Sequence, residues 1–256
     1  MILPSVVFPI HDPDGLVFHH VNVITPFLKQ HFSSAFLGVT AITHDKYKPL
    51  LESLAQDDFY QLLITPQDAQ IGRQFKLLYQ QAALSSQPDH ILHLCYPDRL
   101  AFALQDQYRD QFLEDIKSVV PERAPVIFQR SQKAWNTHPR NYFETERFVM
   151  TMSKRLLGKA IDFAWCHLAI QAAQLEEILP RVQRHDLSMV AEMIVPLIDS
   201  VSSQDVDWLA WEDPFIYSRN AEKLKNEREK SVAETLKRLA YVIPMVQLIA
   251  EIANDK

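Results

Sequence analysis

Asp98 stands just after the apolar run Ile91-Leu92-His93-Leu94-Cys95, at a Tyr96-Pro97 turn. Pro97 has no N–H to give a sheet ladder, so a strand over His90 to Cys95 ends there and leaves Asp98 and Arg99 at its carboxyl end. That edge is where open α/β sheets bind ligands, which makes Asp98 a candidate ligand-binding carboxylate; its plain alternative is a turn residue. Glu212 and Asp213 lie between Trp211 and Phe215 in WEDPF. Paired carboxylates in apolar company are costly unless hydrogen-bonded or used, so they are candidate metal or substrate ligands. Arg73 and Lys76 are one helical turn apart, and a guanidinium fork there suits the oxygens of a diphosphate, unless both are solvated helix charges. Trp135, His138, Arg140 and Tyr142 offer aromatic faces for a sugar in what reads as an aperiodic loop, or simply pack a surface loop.

Other chemistries are weaker on these residues. His11, Asp12, Asp14, His19 and His20 raise the reading of a metal-dependent hydrolase. Adjacent His19 and His20 point about 100° apart on a helix, and neither H-E-x-x-H nor paired Cys/His spacing occurs. The serine elbow G-x-S-x-G is missing. Four glycines against 15 prolines leave no G-x-G-x-x-G turn and no P-loop, so a nucleotide would have to be held by other means.

The elements that must position these groups alternate. Strands are expected at Ser5 to Ile10, Ala35 to Ile42, Phe59 to Thr65 and His90 to Cys95, separated by helices at Leu16 to His31, Tyr47 to Ala55 and Ile71 to Leu84. In the last of these Ile71, Phe75, Leu78 and Ala82 recur at helical spacing. Such alternation predicts an α/β fold, a doubly wound, mainly parallel sheet with helices on both faces. Leu100 to Val119 reads as helix, Pro125 to Ser131 as strand, the segment from Ala134 to Arg147 as loop, and Phe148 to Ile178 as helix broken at Gly158. Asp186-Leu187-Ser188 suits the start of a helix running to about Asp199, Val206 to Trp211 reads as a strand, and Ala221 to Asn254 as closing helices broken near Pro244.

Composition bounds the rest. The 256 residues, 47% of them hydrophobic, suffice for one buried core. A formal charge of −6 and pI near 5.9 argue against nucleic acid as a partner. Cys95 and Cys166 fall in apolar segments and read as reduced core thiols; with no basic leader read in MILPSVVFPIH and no membrane span, the expected location is the cytoplasm.

The order VVFPIHDPDG, FLGVT, GRQFKLLYQQAALSSQPDHILHLCYPDRL, HDLSMVAEMI and WLAWEDPF resembles the GT-A fold of family-2-like nucleotide-diphospho-sugar glycosyltransferases, over roughly residues 5 to 216. The resemblance implies a nucleoside diphosphate sugar as donor, a small or lipid-linked acceptor, and a divalent metal, Mg²⁺ or Mn²⁺, bridging the diphosphate. It implies that Pro9, His11 and Asp12 line the nucleotide pocket, although Asp12 could equally cap a plain turn. It aligns Cys95-Tyr96-Pro97-Asp98 with the family's Asp-x-Asp, leaving one carboxylate, Asp98, for the metal, with Asp213 as a second. His185-Asp186 stands where the family places an acidic pair; Asp186 would then be the general base, with an N-cap as its alternative. The expected layout is one domain over 1–256: a nucleotide-binding half (1–100), an acceptor half (101–220) and closing helices (221–256). The rival is a GT-A-shaped binding or scaffold module whose motif has decayed.

Overall fold

β1 (Ser5–Ile10) and β2 (Ala35–Thr40) pair in parallel, Val6 opposite Ala35 and Ile10 opposite Val39. Both are almost wholly buried, as strands covered by helices on two faces must be. The computed structural model describes residues 3–164 and 167–254; the expected core thiol Cys166 lies outside them. Among the described residues β1 and β2 belong to a sheet of seven strands. The others are β3 (Tyr60–Thr65), β4 (Ile91–Leu94), β5 (Val126–Arg130), β6 (His167–Gln171) and β7 (Ser202–Val206), in the order β3-β2-β1-β4-β6-β5-β7. Only β6 runs against its neighbours, β4 and β5; the sheet is doubly wound and mainly parallel.

The helices are α1 (Leu16–His31), α2 (Ala41–Ala55), α3 (Ile71–Leu84), α4 (Pro97–Ala103), α5 (Arg109–Lys117), α6 (Gln132–Thr137) and α7 (Arg140–Leu157), then α8 (Ala172–Ile178), α9 (Met189–Ile194), α10 (Asp213–Ile216), α11 (Ala221–Lys230) and α12 (Val232–Asn254). Period-two alternation splits the strand side chains between two cores. Val7, Leu92 and Leu94 pack with Phe75 and Leu78 of α3, Leu175 of α8 and Ile249 of α12. Val6, Phe8 and Cys95 pack on the other face with Phe18 and Leu28 of α1, Phe112 of α5 and Trp208. Each fully buried Leu or Phe contributes about 1.5–3 kcal/mol, so the two cores together hold the sheet between its helical layers. No helix among the described residues is long and apolar enough to cross a membrane.

Several expected elements are corrected. The second strand stops at Thr40, and α2 begins at Ala41 rather than Tyr47. Tyr47 is instead a non-helical kink two residues before Pro49, so the breaker sits inside the helix. Pro97 not only ends β4 but opens α4 at its first turn, and the expected helix from Leu100 to Val119 is two helices. The expected loop from Ala134 to Arg147 is α6 and most of α7's first half: the Ser131 hydroxyl caps α6 at Ala134 N, 3.1 Å. The buried stripe of α7, Tyr142-Glu146-Val149-Ser153, is half polar and gives no apolar periodicity. The expected helix from Phe148 to Ile178 ends at Gly158, which is left-handed (φ 81°), and then contains β6. The helix expected to reach Asp199 is only α9, with a tighter turn over Val195–Leu197 at Pro196. β7 occupies the polar Ser202–Val206 instead of Val206 to Trp211, because an edge strand with one neighbour need not be apolar. The apolar VDWLAW is a loop whose Trp208 is fully buried and donates to Asp115 Oδ2, 2.7 Å. Pro244 lies inside α12 without ending it.

Candidate functional site

The strand order reverses between β1 and β4, since β1 is followed by β2 on one side while β4, β6, β5 and β7 extend on the other. The carboxyl ends of β1 and β4 therefore diverge over a crevice. A cavity of ≈ 160 Å³ lies there, lined from β1 by Pro9 and His11, from the β4–α4 turn by Tyr96 and Asp98, and from α3 by Gln74 and Phe75. The rings of Phe75 and Tyr96 meet at 5.9 Å, and the Arg99 guanidinium lies 4.7 Å over the Tyr96 ring. His11 Nδ1 and Thr40 Oγ1 share a hydrogen bond of 3.1 Å, which fixes the imidazole at the rim.

Asp98 is half-buried in the first turn of α4, where the helix dipole favours a carboxylate, and its Oδ1 accepts from Arg99 N at 2.8 Å. α10 packs against α4 and α1 and carries Glu212 and Asp213 to the same side. Glu212 is buried and accepts from Arg99 Nε at 3.3 Å. Its loss of solvent outweighs the Arg99 charge and pushes the carboxyl up to about 8, with Asp213 and Asp98 adding to the rise. Asp213 is likewise raised by burial, against the pull of Arg228, whose Nη2 stands 3.5 Å from Oδ2, and of Arg238; Asp98 again adds to the rise. Three carboxylates thus sense one another's charge at the sheet's carboxyl edge, with Arg99 and Arg228 among them. His20 closes the α1 side, its ring 4.9 Å from Phe215, and burial draws its pKa down.

The remaining residues singled out by sequence take other places, and none of them lines the cavity. Asp12 caps α1: Oδ1 accepts from Leu16 N (3.0 Å) and Oδ2 from Phe18 N (2.9 Å), an arrangement Gly15 permits by turning left-handed. Arg73 is exposed on α3, while Lys76 Nζ donates to the Val182 carbonyl at 2.6 Å. Asp186 is exposed and accepts from Ser188 N at 2.8 Å and from the Ser188 hydroxyl. Its loop is pinned to α3 because Gly72 N donates to the His185 carbonyl (2.7 Å), and a Cβ on Gly72 would strike the Asp186 carbonyl. Trp135, His138 and Tyr142 are buried. Trp135 carries the Arg130 guanidinium at 3.4 Å, and the Tyr142 hydroxyl donates to Glu234 at 2.6 Å, so these rings belong to the support. That support includes a buried charge network: Arg130 donates twice to Asp162 (2.7 and 2.8 Å) and once to Glu146 (2.6 Å). Tyr96, Gln74 and Arg228 were not among the expected site residues, and His20 was named only for the weaker metal-dependent hydrolase. Tyr96 and Gln74 flank residues that were, whereas Arg228, in the all-polar AEKLKNEREK, carries no distinguishing signal.

No protein-family model matches the sequence, and no curated protein sequence does. Three solved structures are similar in overall form, all of glucosyl-3-phosphoglycerate synthase from Mycobacterium tuberculosis. The complex with UDP has 12% identity and a TM-score of 0.49, covering 93% of this chain and 80% of that one. The complex with Mn²⁺, UDP and glucosyl-3-phosphoglycerate has 12% identity, a TM-score of 0.48 and the same coverage. The complex with Mn²⁺, UDP and phosphoglyceric acid has 12% identity and a TM-score of 0.49, covering 94% of this chain and 78% of that one.

Proposed function

We propose that the protein is a GT-A-type glycosyltransferase that moves a sugar from a nucleoside diphosphate donor to a small or lipid-linked acceptor. The observation that carries this reading is the cavity at the reversal of strand order, where open α/β sheets take nucleotides without needing a glycine-rich turn. Tyr96 and Phe75 offer a base or sugar ring an aromatic wall, and Asp98 stands beside them on a helix N-terminus. The carboxylates of Asp98 and Asp213 are hard oxygen donors of the kind that hold Mg²⁺ or Mn²⁺ together with substrate phosphates. When bound, such an ion neutralises a departing diphosphate. Arg99 and Arg228, held by Glu212 and Asp213, add fixed positive charge to the same place. Glu212, pushed up to about 8 by burial, holds its proton at neutral pH.

A second reading, a binding module that has lost turnover, is favoured by one observation. Glu212 is buried and bonded to Arg99, and Asp186, the expected base, is bonded within its own turn, so that base is not poised in the cavity. A thermal-shift series with nucleoside diphosphates, with and without Mn²⁺, tests the donor site, since a ligand at 100 times its Kd adds about 2.7 kcal/mol to the native state. Wild type should shift upward. Asp98→Ala should lose most of that shift while its unliganded melting temperature stays nearly unchanged. No shift at millimolar nucleotide refutes both readings; a shift without transfer or hydrolysis of a nucleotide sugar selects the binding module.

A further inference from the structure

On the face of the sheet away from α3, β4 and β6 gather three metal-ligand side chains that none of the chemistry above uses. Cys95 immediately follows β4, its N–H still bonded to the Val7 carbonyl of β1 at 3.2 Å, and stands two residues beyond His93, so the two point to the same face. The antiparallel register pairs His93 with Ala169 and Leu94 with Leu168, and its continuation brings Cys95 opposite His167. The ligand atoms of His93, Cys95 and His167 all lie within 4.8 Å of one another. All three residues are buried, at 0%, 2% and 0% exposure.

Their surroundings give the imidazoles nothing to bond. Both ring nitrogens of His93 and both of His167 lack a hydrogen-bond partner among the described residues. The neighbours are rings: Phe128 at 5.8 Å and Phe112 at 6.3 Å from His93, Trp208 at 5.3 Å from His167, and the two imidazoles 5.4 Å apart. A buried polar atom without a partner costs about as much as a lost hydrogen bond, and native interiors rarely leave four such atoms together. Burial holds His93 down to about 3 and His167 well below its ordinary value, so both rings are neutral with a lone pair available. Two imidazoles and a thiol are soft or borderline donors. They suit Zn²⁺ or Cu⁺ and not the hard Mg²⁺ or Mn²⁺ that the carboxylate cleft would hold.

We propose that His93, Cys95 and His167 form a buried site for a closed-shell thiophilic cation, Zn²⁺ or Cu⁺, that clamps β4 to the antiparallel β6. Binding requires the ligand atoms to close from as much as 4.8 Å to about 3.5 Å, the spacing set by bonds of about 2.0–2.3 Å. The Cys95 thiol gives up its proton to solvent as the metal–sulfur bond forms. With Cu⁺ the thiolate leaves the site neutral; with Zn²⁺ it leaves one positive charge in an apolar setting that already feels Arg99. The clamp would sit directly beneath the Tyr96-Pro97-Asp98 turn and hold that turn whether or not a nucleotide binds.

The site is buried, so the metal must enter during folding. The full chain is unfolded in denaturant with chelator and refolded with Zn²⁺, with Cu⁺ under a thiol-free reductant, or with Co²⁺ as a spectroscopic stand-in. It is then desalted and its metal counted per chain. Wild type should keep one Zn²⁺ or one Cu⁺ per chain, and whichever is kept names the cation. Its cobalt form should show a thiolate-to-Co²⁺ charge-transfer band, and Cys95→Ser should lose both signals. Wild type that regains its native circular dichroism yet keeps neither metal and shows no band overturns the proposal. Equal metal retention by Cys95→Ser overturns it too, by placing the ion elsewhere. Should Cys95→Ser fail to fold, the wild-type stoichiometry and cobalt band alone decide.

Discussion

The buried carboxyl of Glu212 makes a quantitative demand on stability. In the unfolded chain it titrates near 4.5; in the folded protein desolvation raises it to about 8 in spite of Arg99. Between those values the native state holds a proton that the unfolded state has released, so stability falls as pH rises through the interval. The penalty is absent below the unfolded value and complete above the folded one. At about 1.4 kcal/mol per unit it reaches about 4–5 kcal/mol over the whole interval, of which about 2–3 kcal/mol accrues from pH 6 to pH 8. Asp213, raised by the same cause, adds a contribution of the same sign. Glu212→Gln keeps an oxygen to accept from Arg99 Nε but removes the titration. Urea unfolding of both proteins from pH 5 to pH 9 should show wild type and variant close together at the acid end. Wild type should fall away by about 3–4 kcal/mol relative to the variant between pH 5 and pH 8. Parallel curves, or a wild type that gains on the variant as pH rises, would refute the reasoning, because the Arg99 pair would then outweigh desolvation.

Two further predictions concern the frame of the site. Asp12→Ala removes both acceptors at the start of α1 and should cost about 1–2 kcal/mol in urea unfolding. Nucleoside diphosphate should still shift the variant as it shifts wild type; loss of that shift would return Asp12 to the ligand site. Glu146→Leu leaves Arg130 and Arg238 facing a hydrocarbon inside the protein. It should cost about 3–5 kcal/mol, read as a drop in the urea midpoint, and a change below about 1 kcal/mol would show that Asp162 alone satisfies Arg130.

The first hundred residues could be read because three of the four strands there, β1, β2 and β4, are central, and a buried parallel strand is nearly continuous in Val, Ile, Leu and Phe; the edge strand β3 keeps the apolar run Leu62-Leu63-Ile64. Ser5–Ile10 and Leu16–His31 fall where periodicity puts them. Beyond Leu100 the same rule misleads. β7 is an edge strand of Ser, Gln and Asp, whereas the apolar VDWLAW next to it fills a core from a loop, so hydrophobicity marks burial there and not extension. β6 escapes because HLAIQ runs into AAQLEEI with no glycine or proline between them; a five-residue apolar run followed by a helix looks like the helix's own first turns. α7 escapes because its buried stripe is bonded rather than greasy: Glu146 faces inward only because Arg130 is already there to meet it, and that pairing crosses 16 residues of chain.

The candidate site divides along the same line. Groups at or just beyond a strand's end, Pro9, His11 and Asp98, lie around the cavity, since the end of a central strand fixes where the next residues stand. Groups judged by charge pattern alone, Arg73, Lys76 and Asp186, depend on what the opposite face of the helix or turn happens to meet, and they meet solvent, the Val182 carbonyl and Ser188. Glu212 and Asp213 stand between these cases: their cost in an apolar context could be read, but the arginines that meet it come from α4 and α11, 113 and 15 residues away. His93, Cys95 and His167 mark the limit of this reasoning. Neither histidine has a polar neighbour in sequence to suggest a role, and 74 residues part His93 from His167. Only the reversed direction of β6 sets His167 beside Cys95; a parallel strand in that position would run the other way and offer β4 a different register. The single antiparallel strand of the sheet is thus what creates the trio, and its direction is the feature that apolar pattern alone could not supply.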